Sequence, residues 1–127
     1  MLFKNIIQKI IDNRGKSVKN SSEKGLRIIQ SFLVKNTRYP KNLSKAKILD
    51  FKEIKKFIRD NLNKNDLLIS TCGNIGCVTL APEKSCVIQT VIGFRFIDSI
   101  SPLYMFYYFA SNTHILTNLN IGPQDLQ

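Results

Sequence analysis

Tryptophan is absent from this 127-residue sequence, and histidine occurs once, at His114. That count excludes a catalytic histidine pair and a multi-histidine metal centre. Cysteine is scarce and odd in number: Cys72, Cys77 and Cys86, with four and eight residues between them. A structural zinc site needs closely spaced ligand pairs in two halves, and only His114 or a carboxylate could complete one. Cys77 and Cys86, set in apolar runs, read instead as small buried side chains, and neither metal nor other cofactor is expected. A long apolar run is also missing. The longest covers residues 103–110, where a membrane-spanning helix needs about 20, so no membrane partner is expected. The opening MLFKNIIQKIIDNR carries Asn5, Gln8 and Lys9 inside its apolar stretch and has no small-residue cleavage site. It is a poor signal peptide, and the three thiols are expected to be reduced in a cytoplasm.

Acid is the other shortage. Nine Asp+Glu stand against nineteen Lys+Arg, a formal net charge of +10. Residues 1–65 carry +12 of this and residues 66–127 carry −2. Such a balance favours a polyanionic partner, although solvated lysines alone would produce the same count. Hydrophobic residues make up 43% of the chain. A chain of this length buries roughly two-thirds of its unfolded surface, which suits one domain over residues 1–127.

Phe3, Ile6, Ile7, Ile10 and Ile11 fall at helical spacing and predict a short amphipathic helix. Gly15 would end it, and residues 14–22 form a polar, basic loop. Residues 26–29 and 31–34 predict one strand or two short ones. A second basic loop covers residues 36–44, and residues 46–49 predict a short strand. Phe51, Ile54, Phe57, Ile58 and Leu62 predict a helix over residues 51–62, with Asp50 as N-cap and Glu53 completing a capping box. Strands follow at residues 67–70 and 77–81, joined by a glycine loop. The longest strand candidate is residues 86–96. Pro102 then opens a helix at a position where proline is tolerated. Leu103, Phe106, Tyr107 and Ala110 would share its core face, leaving Tyr104 and Tyr108 towards solvent.

None of the chemical motifs is complete. Gly73-Asn74-Ile75-Gly76 lacks the Gly-Lys-[Ser/Thr] ending of a phosphate loop, and a strand follows it rather than a helix. Gly73 and Gly76 therefore read as turn residues supplying positive φ to a hairpin. No nucleophile motif surrounds a cysteine, so a cysteine-dependent enzyme has little to support it.

The run Asn65-Asp66-Leu67-Leu68-Ile69-Ser70, followed by Gly73-Asn74-Ile75-Gly76 and the strand from Cys77, resembles the target recognition domain of the DNA-specificity subunit of type I restriction–modification systems. That family typically shows Gly-Asp-Ile-Leu-Ile-Ser before Gly-x-Ile-Gly, and Asn65 stands here in place of its first glycine. The order of other segments is also similar. Asp12-Asn13-Arg14-Gly15-Lys16 looks like the opening loop, and Gly25-Leu26-Arg27-Ile28-Ile29 looks like the first strand. Cys86-Val87-Ile88-Gln89-Thr90 with Gly93-Phe94-Arg95-Phe96 looks like the late strand. Residues 101–111 are similar to a closing helix rich in Leu and Tyr. The sequence stops at Gln127, where such domains continue into a long helix, and so reads as one recognition domain without the spacer helix or a second recognition domain.

The resemblance implies an α+β fold, a mixed and mainly antiparallel twisted sheet with flanking helices. It implies a non-enzymatic role: reading double-stranded DNA and directing partner methyltransferase and endonuclease subunits. Such a chain must neutralise phosphates and place polar side chains against base edges. Arg14, Lys16, Lys19, Arg38 and Lys41, in the two basic loops, are the phosphate candidates. Asn20, Asn36 and Asn42 are candidates for reading adenine. The competing reading is a small basic regulatory protein that binds an acidic protein partner.

Overall fold

The computed structural model describes residues 3–15 and 22–112. Its strands are β1 (Ile7–Ile11), β2 (Gly25–Arg27), β3 (Ile48–Asp50), β4 (Leu67–Ser70), β5 (Val78–Leu80) and β6 (Val91–Phe96). Its helices are α1 (Phe51–Phe57) and α2 (Pro102–Ser111), with 3-10 turns at Phe3–Ile6, Ser31–Leu33 and Leu43–Lys45. One sheet runs β1-β6-β4-β5, and a second pairs β2 with β3. Every strand pair is antiparallel, so the expected α+β architecture is what forms. Two isolated bridges, Ile28 with Cys86 and Leu62 with Ser85, stitch the segments around the small sheet to the larger body.

The strand sequences explain the layering. All four residues of β4 are buried, which suits a strand with neighbours on both sides and cover on both faces. Leu67, Ile69, Val78, Leu80, Ile92, Phe94 and Phe96 alternate onto one face and pack on Met105, Phe106 and Phe109 of α2. The Phe3 ring closes this layer, 5.4 Å from the Phe109 ring and 5.6 Å from the Phe94 ring. Leu68 and Val91 face the other way, onto Ile11, Ile29, Leu33, Val34, Leu62 and Val87. Gly93 lies in that second layer. A β-carbon there would stand 2.6 Å from Leu62 Cδ2 and 3.4 Å from Ile11 Cβ. A third cluster joins Ile28, Leu49, Ile54, Cys86 and Ile88. Burial pushes the Cys86 thiol up to about 12, which makes it an inert apolar filler.

Five local expectations are corrected. Residues 7–11 form a strand rather than part of a helix, because Ile7, Ile10 and Ile11 gain a partner in β6. A register shift between Ile7 and Lys9 lets helix-like spacing sit on a strand. Helix α1 stops at Phe57, since Ile58 is extended (φ −100°, ψ 121°) and Leu62 is drawn into its bridge with Ser85. Asp50 does cap α1, accepting from the Lys52 N–H at 2.8 Å. Residues 31–33 form a 3-10 turn rather than a strand, and the predicted strand over 86–96 breaks at a turn before β6. Helix α2 begins at Pro102 as expected, with the Ser101 hydroxyl capping it. Its buried stripe, however, runs through Met105, Phe106 and Phe109, and Tyr107 is 53% exposed along with Tyr104 and Tyr108.

Candidate nucleic-acid interface

The sheet register gathers several loops at one end. Strand β1 finishes there at Ile11, β4 finishes at Ser70, and β5 and β6 begin there at Val78 and Val91. The loop leaving β1, the glycine loop 71–77 and the turn before β6 therefore share that end. Two polar anchors hold them. Asn13 is fully buried: its Nδ2 donates to the carbonyls of Asp60 and Val87, both at 3.0 Å, and its Oδ1 accepts from the Arg59 N–H at 3.0 Å. In the glycine loop, the Ser70 hydroxyl donates to the Asn74 carbonyl and accepts from the Cys77 N–H at 3.2 Å. Gly73 and Gly76, at φ +68° and +85°, take the backbone values that side chains resist, so they are the turn residues the spacing predicts. Cys72, Gly73, Asn74 and Ile75 are left exposed at the tip.

Residues 31–46 arrive beside this end and then run along the outer edge of β5. The Ser31 N–H donates to Thr90 Oγ1 at 3.0 Å. A β-carbon on Gly73 would lie 3.8 Å from Ser31 Oγ. The Val78 N–H donates to Asn36 Oδ1 at 2.9 Å, Thr79 Oγ1 donates to the Thr37 carbonyl at 2.7 Å, and the Leu80 N–H donates to the Arg38 carbonyl at 2.8 Å. The edge strand is thus covered by irregular chain. Tyr39 then fixes the far side, its hydroxyl donating to Asn65 Oδ1 at 2.6 Å. Phe32, Leu33, Lys35, Thr37, Lys41 and Asn42 line a shallow groove of about 200 Å³ in this segment.

The charge here is one-sided. Between Glu23 and Asp50 the chain has seven Lys+Arg and no acid. Among the described residues, carboxylates reach only Lys9 (Asp60), Arg14 (Asp12), Arg27 (Glu83) and Arg95 (Asp66) within ion-pair distance. Lys35, Arg38, Lys41, Lys45 and Lys47 are exposed and outside those pairs. Such a cluster of exposed cations raises the local positive potential.

The candidate residues divide accordingly. Arg38, Lys41 and Asn42 are exposed in the basic segment. The Arg38 guanidinium lies 6.0 Å from the Tyr39 ring centroid. Asn36 is exposed, with φ +60°, but its amide is engaged with Val78 and, through Nδ2, with Cys77 Sγ at 3.7 Å. Arg14 is half-buried and turned back on Asp12, donating from Nε at 3.0 Å and from Nη2 at 2.8 Å. Burial raises the Asp12 carboxyl, but the hydrogen bonds and charge of Arg14, with Arg59, outweigh it and hold the group below its usual range. Lys16, Lys19, Asn20 and His114 lie outside the described residues. Two groove residues, Phe32 and Lys35, were not legible as site residues. Ser31-Phe32-Leu33-Val34 reads as strand, whereas the 3-10 turn buries Leu33 and Val34 and leaves Phe32 outside.

Asp66, the acid of the Asp-Leu-Leu-Ile run, has a framing role. It is 3% exposed, accepts from Arg95 Nε at 3.1 Å and Nη2 at 2.9 Å, and accepts from the Asn63 N–H at 2.8 Å. The carboxylate raises the Arg95 guanidinium further above its already high value, against the opposing effect of burial. Two-pronged pairing of this kind fixes geometry as well as charge.

Residues 20–124 match the family model for the type I restriction modification DNA specificity domain. No curated protein matches the chain. Among solved structures, the HsdS subunit from Thermoanaerobacter tengcongensis is similar at 20% identity and a TM-score of 0.68, over 97% of this chain and 29% of that one. A chain from a structural study of complex assembly and conformational transition of the type I R-M system is similar at 19% identity and a TM-score of 0.67, over 98% of this chain and 30% of that one. The sequence thus spans about three-tenths of the length of either chain. Among the described residues, no helix is long and apolar enough to cross a membrane.

Proposed function

Because the chain belongs to the type I restriction modification DNA specificity domain family, we propose that it is a recognition domain reading double-stranded DNA by sequence. In this reading it acts in the cytoplasm as part of a specificity subunit, breaks no bond itself, and directs methyltransferase and endonuclease subunits to their target. The observation that carries it is the acid-free, cation-rich segment between Glu23 and Asp50, which meets the loop end of the sheet at Ser31 and runs on along the outer edge of β5. Arg38 and Lys41 neutralise phosphates, and Asn42 presents a donor and an acceptor to a base edge. Asn36 and Arg14 position loops before they contact anything else. Lys16, Lys19 and Asn20 enter on sequence grounds alone.

The test is a titration with random-sequence duplex across a range of salt. About five phosphate contacts give a log–log slope near −4 to −5. A second arm selects bound duplexes over successive rounds and sequences the enriched pool. A steep slope with an enriched motif supports the proposal. A flat salt response, or equal competition by an acidic polypeptide at matched charge, overturns it.

A further inference from the structure

The groove in the basic segment combines three chemistries. Phe32 is 44% exposed, although its neighbours Leu33 and Val34 are buried. The 3-10 turn at Ser31–Leu33 pushes its ring outward, and Ser31 N–H bonding to Thr90 keeps the turn in place. Phe32 is one of six exposed large hydrophobic side chains among the described residues, and covering its ring with an apolar group of a ligand would be favourable. Lys35 and Lys41 line the same groove and bring it two positive charges. Asn42 completes it. Asn42 precedes the turn at Leu43–Lys45 without capping it through its side chain, so its amide stays available, in contrast to that of Asn36.

Resting on the DNA-reading proposal above, we propose that this groove reads one A·T base pair of the bound duplex. The Phe32 ring lies against the thymine 5-methyl group, the Asn42 amide meets the N6 and N7 edge of adenine, and Lys35 and Lys41 take the flanking phosphates. An apolar side chain on the thymine methyl and an asparagine on adenine are the pairings the major groove selects. The absence of carboxylates between Glu23 and Asp50 disfavours a cationic ligand. Phe32, Lys35, Lys41 and Asn42 line one groove of about 200 Å³.

The enriched duplex pool is re-amplified with deoxyuridine replacing thymidine, which removes only the methyl groups. The full chain is then titrated with both pools. Loss of one buried methyl predicts about four-fold weaker binding to the uracil pool. Phe32→Gln binds the two pools equally, Phe32→Leu retains most of the discrimination, and Lys41→Ala weakens both pools alike while keeping the four-fold ratio. Equal binding of both pools by the unsubstituted chain overturns the proposal, and that measurement requires no variant to fold. Undiminished discrimination by Phe32→Gln overturns it as well. If Phe32→Gln weakens binding to single-stranded DNA and leaves duplex binding unchanged, Phe32 stacks on unpaired bases and the proposal also fails. These results leave the general DNA-reading proposal standing, whereas failure of any pool to enrich brings down both.

Discussion

The sheet interior and the edge segment 31–46 use polar residues in opposite ways. In and around the sheet, polar side chains are committed to framing: Asn13 makes three hydrogen bonds to backbone, and Asp66 holds Arg95 and the turn at Asn63. In the edge segment, Lys35, Arg38 and Lys41 face solvent outside the ion pairs, while the backbone carbonyls of Thr37 and Arg38 are committed to β5. The frame uses side chains to hold backbone, whereas the edge segment, held by the Asn36 and Tyr39 side chains and by backbone carbonyls, presents Lys35, Arg38 and Lys41 to solvent. A substitution in the first region should therefore cost stability, and one in the second should cost binding.

The largest effect that could break this contrast is at Gly93. Gly93→Val puts branched carbon where Leu62 Cδ2 leaves no room. Overpacking of that kind costs about 3 kcal/mol, or on the order of 10 °C in Tm for a chain of this size. An unchanged melting curve would show that the second core layer is slack. Next in size is a pair of triple variants. Lys35→Ala, Arg38→Ala and Lys41→Ala together should lower the salt slope of DNA binding by about three with Tm unmoved. Lys52→Ala, Lys55→Ala and Lys56→Ala on α1 should change the slope less. Equal slopes would mean that charge count, and not the edge segment, governs binding.

The smallest effect sharpens the contrast at its boundary. Asp12 ties down Arg14, and its carboxyl is held below the usual 3.8. A depressed folded value means that the pair's contribution is present above about pH 3.8 and lost as pH falls through the lower folded value. Asp12→Asn should cost under about 1 kcal/mol at neutral pH, because the pair is partly exposed. That deficit should vanish in acid. If Arg14 belongs to the frame, DNA binding by Asp12→Asn stays level. If it belongs to the reading surface, releasing it tightens binding.

The β4–β5 hairpin and the start of α2 were legible because their signals are local. Glycines at positive φ mark the turn, and Ser101-Pro102 marks the helix start. The first strand was not legible. Phe3 through Ile11 satisfies a helical stripe, and the partner that overrides it, β6, is some eighty residues downstream. Leu62 is a similar case, since its helical spacing is real but the bridge to Ser85 decides its state. Within the candidate site, loop polarity located Arg38, Lys41 and Asn42. It could not distinguish them from Asn36 or Arg14, whose side chains are already engaged. For Asn36 that engagement is long-range, with Val78 forty-two residues away.

Residues 36–38 seal the outer strand with the Asn36 side-chain oxygen and the carbonyls of Thr37 and Arg38. Grafting a new specificity onto this scaffold by exchanging the whole loop would strip that seal and expose strand β5 to self-association. An exchange confined to Lys41 and Asn42, or to the side chains of 32 and 35, would change what is read and leave the hem of the sheet stitched.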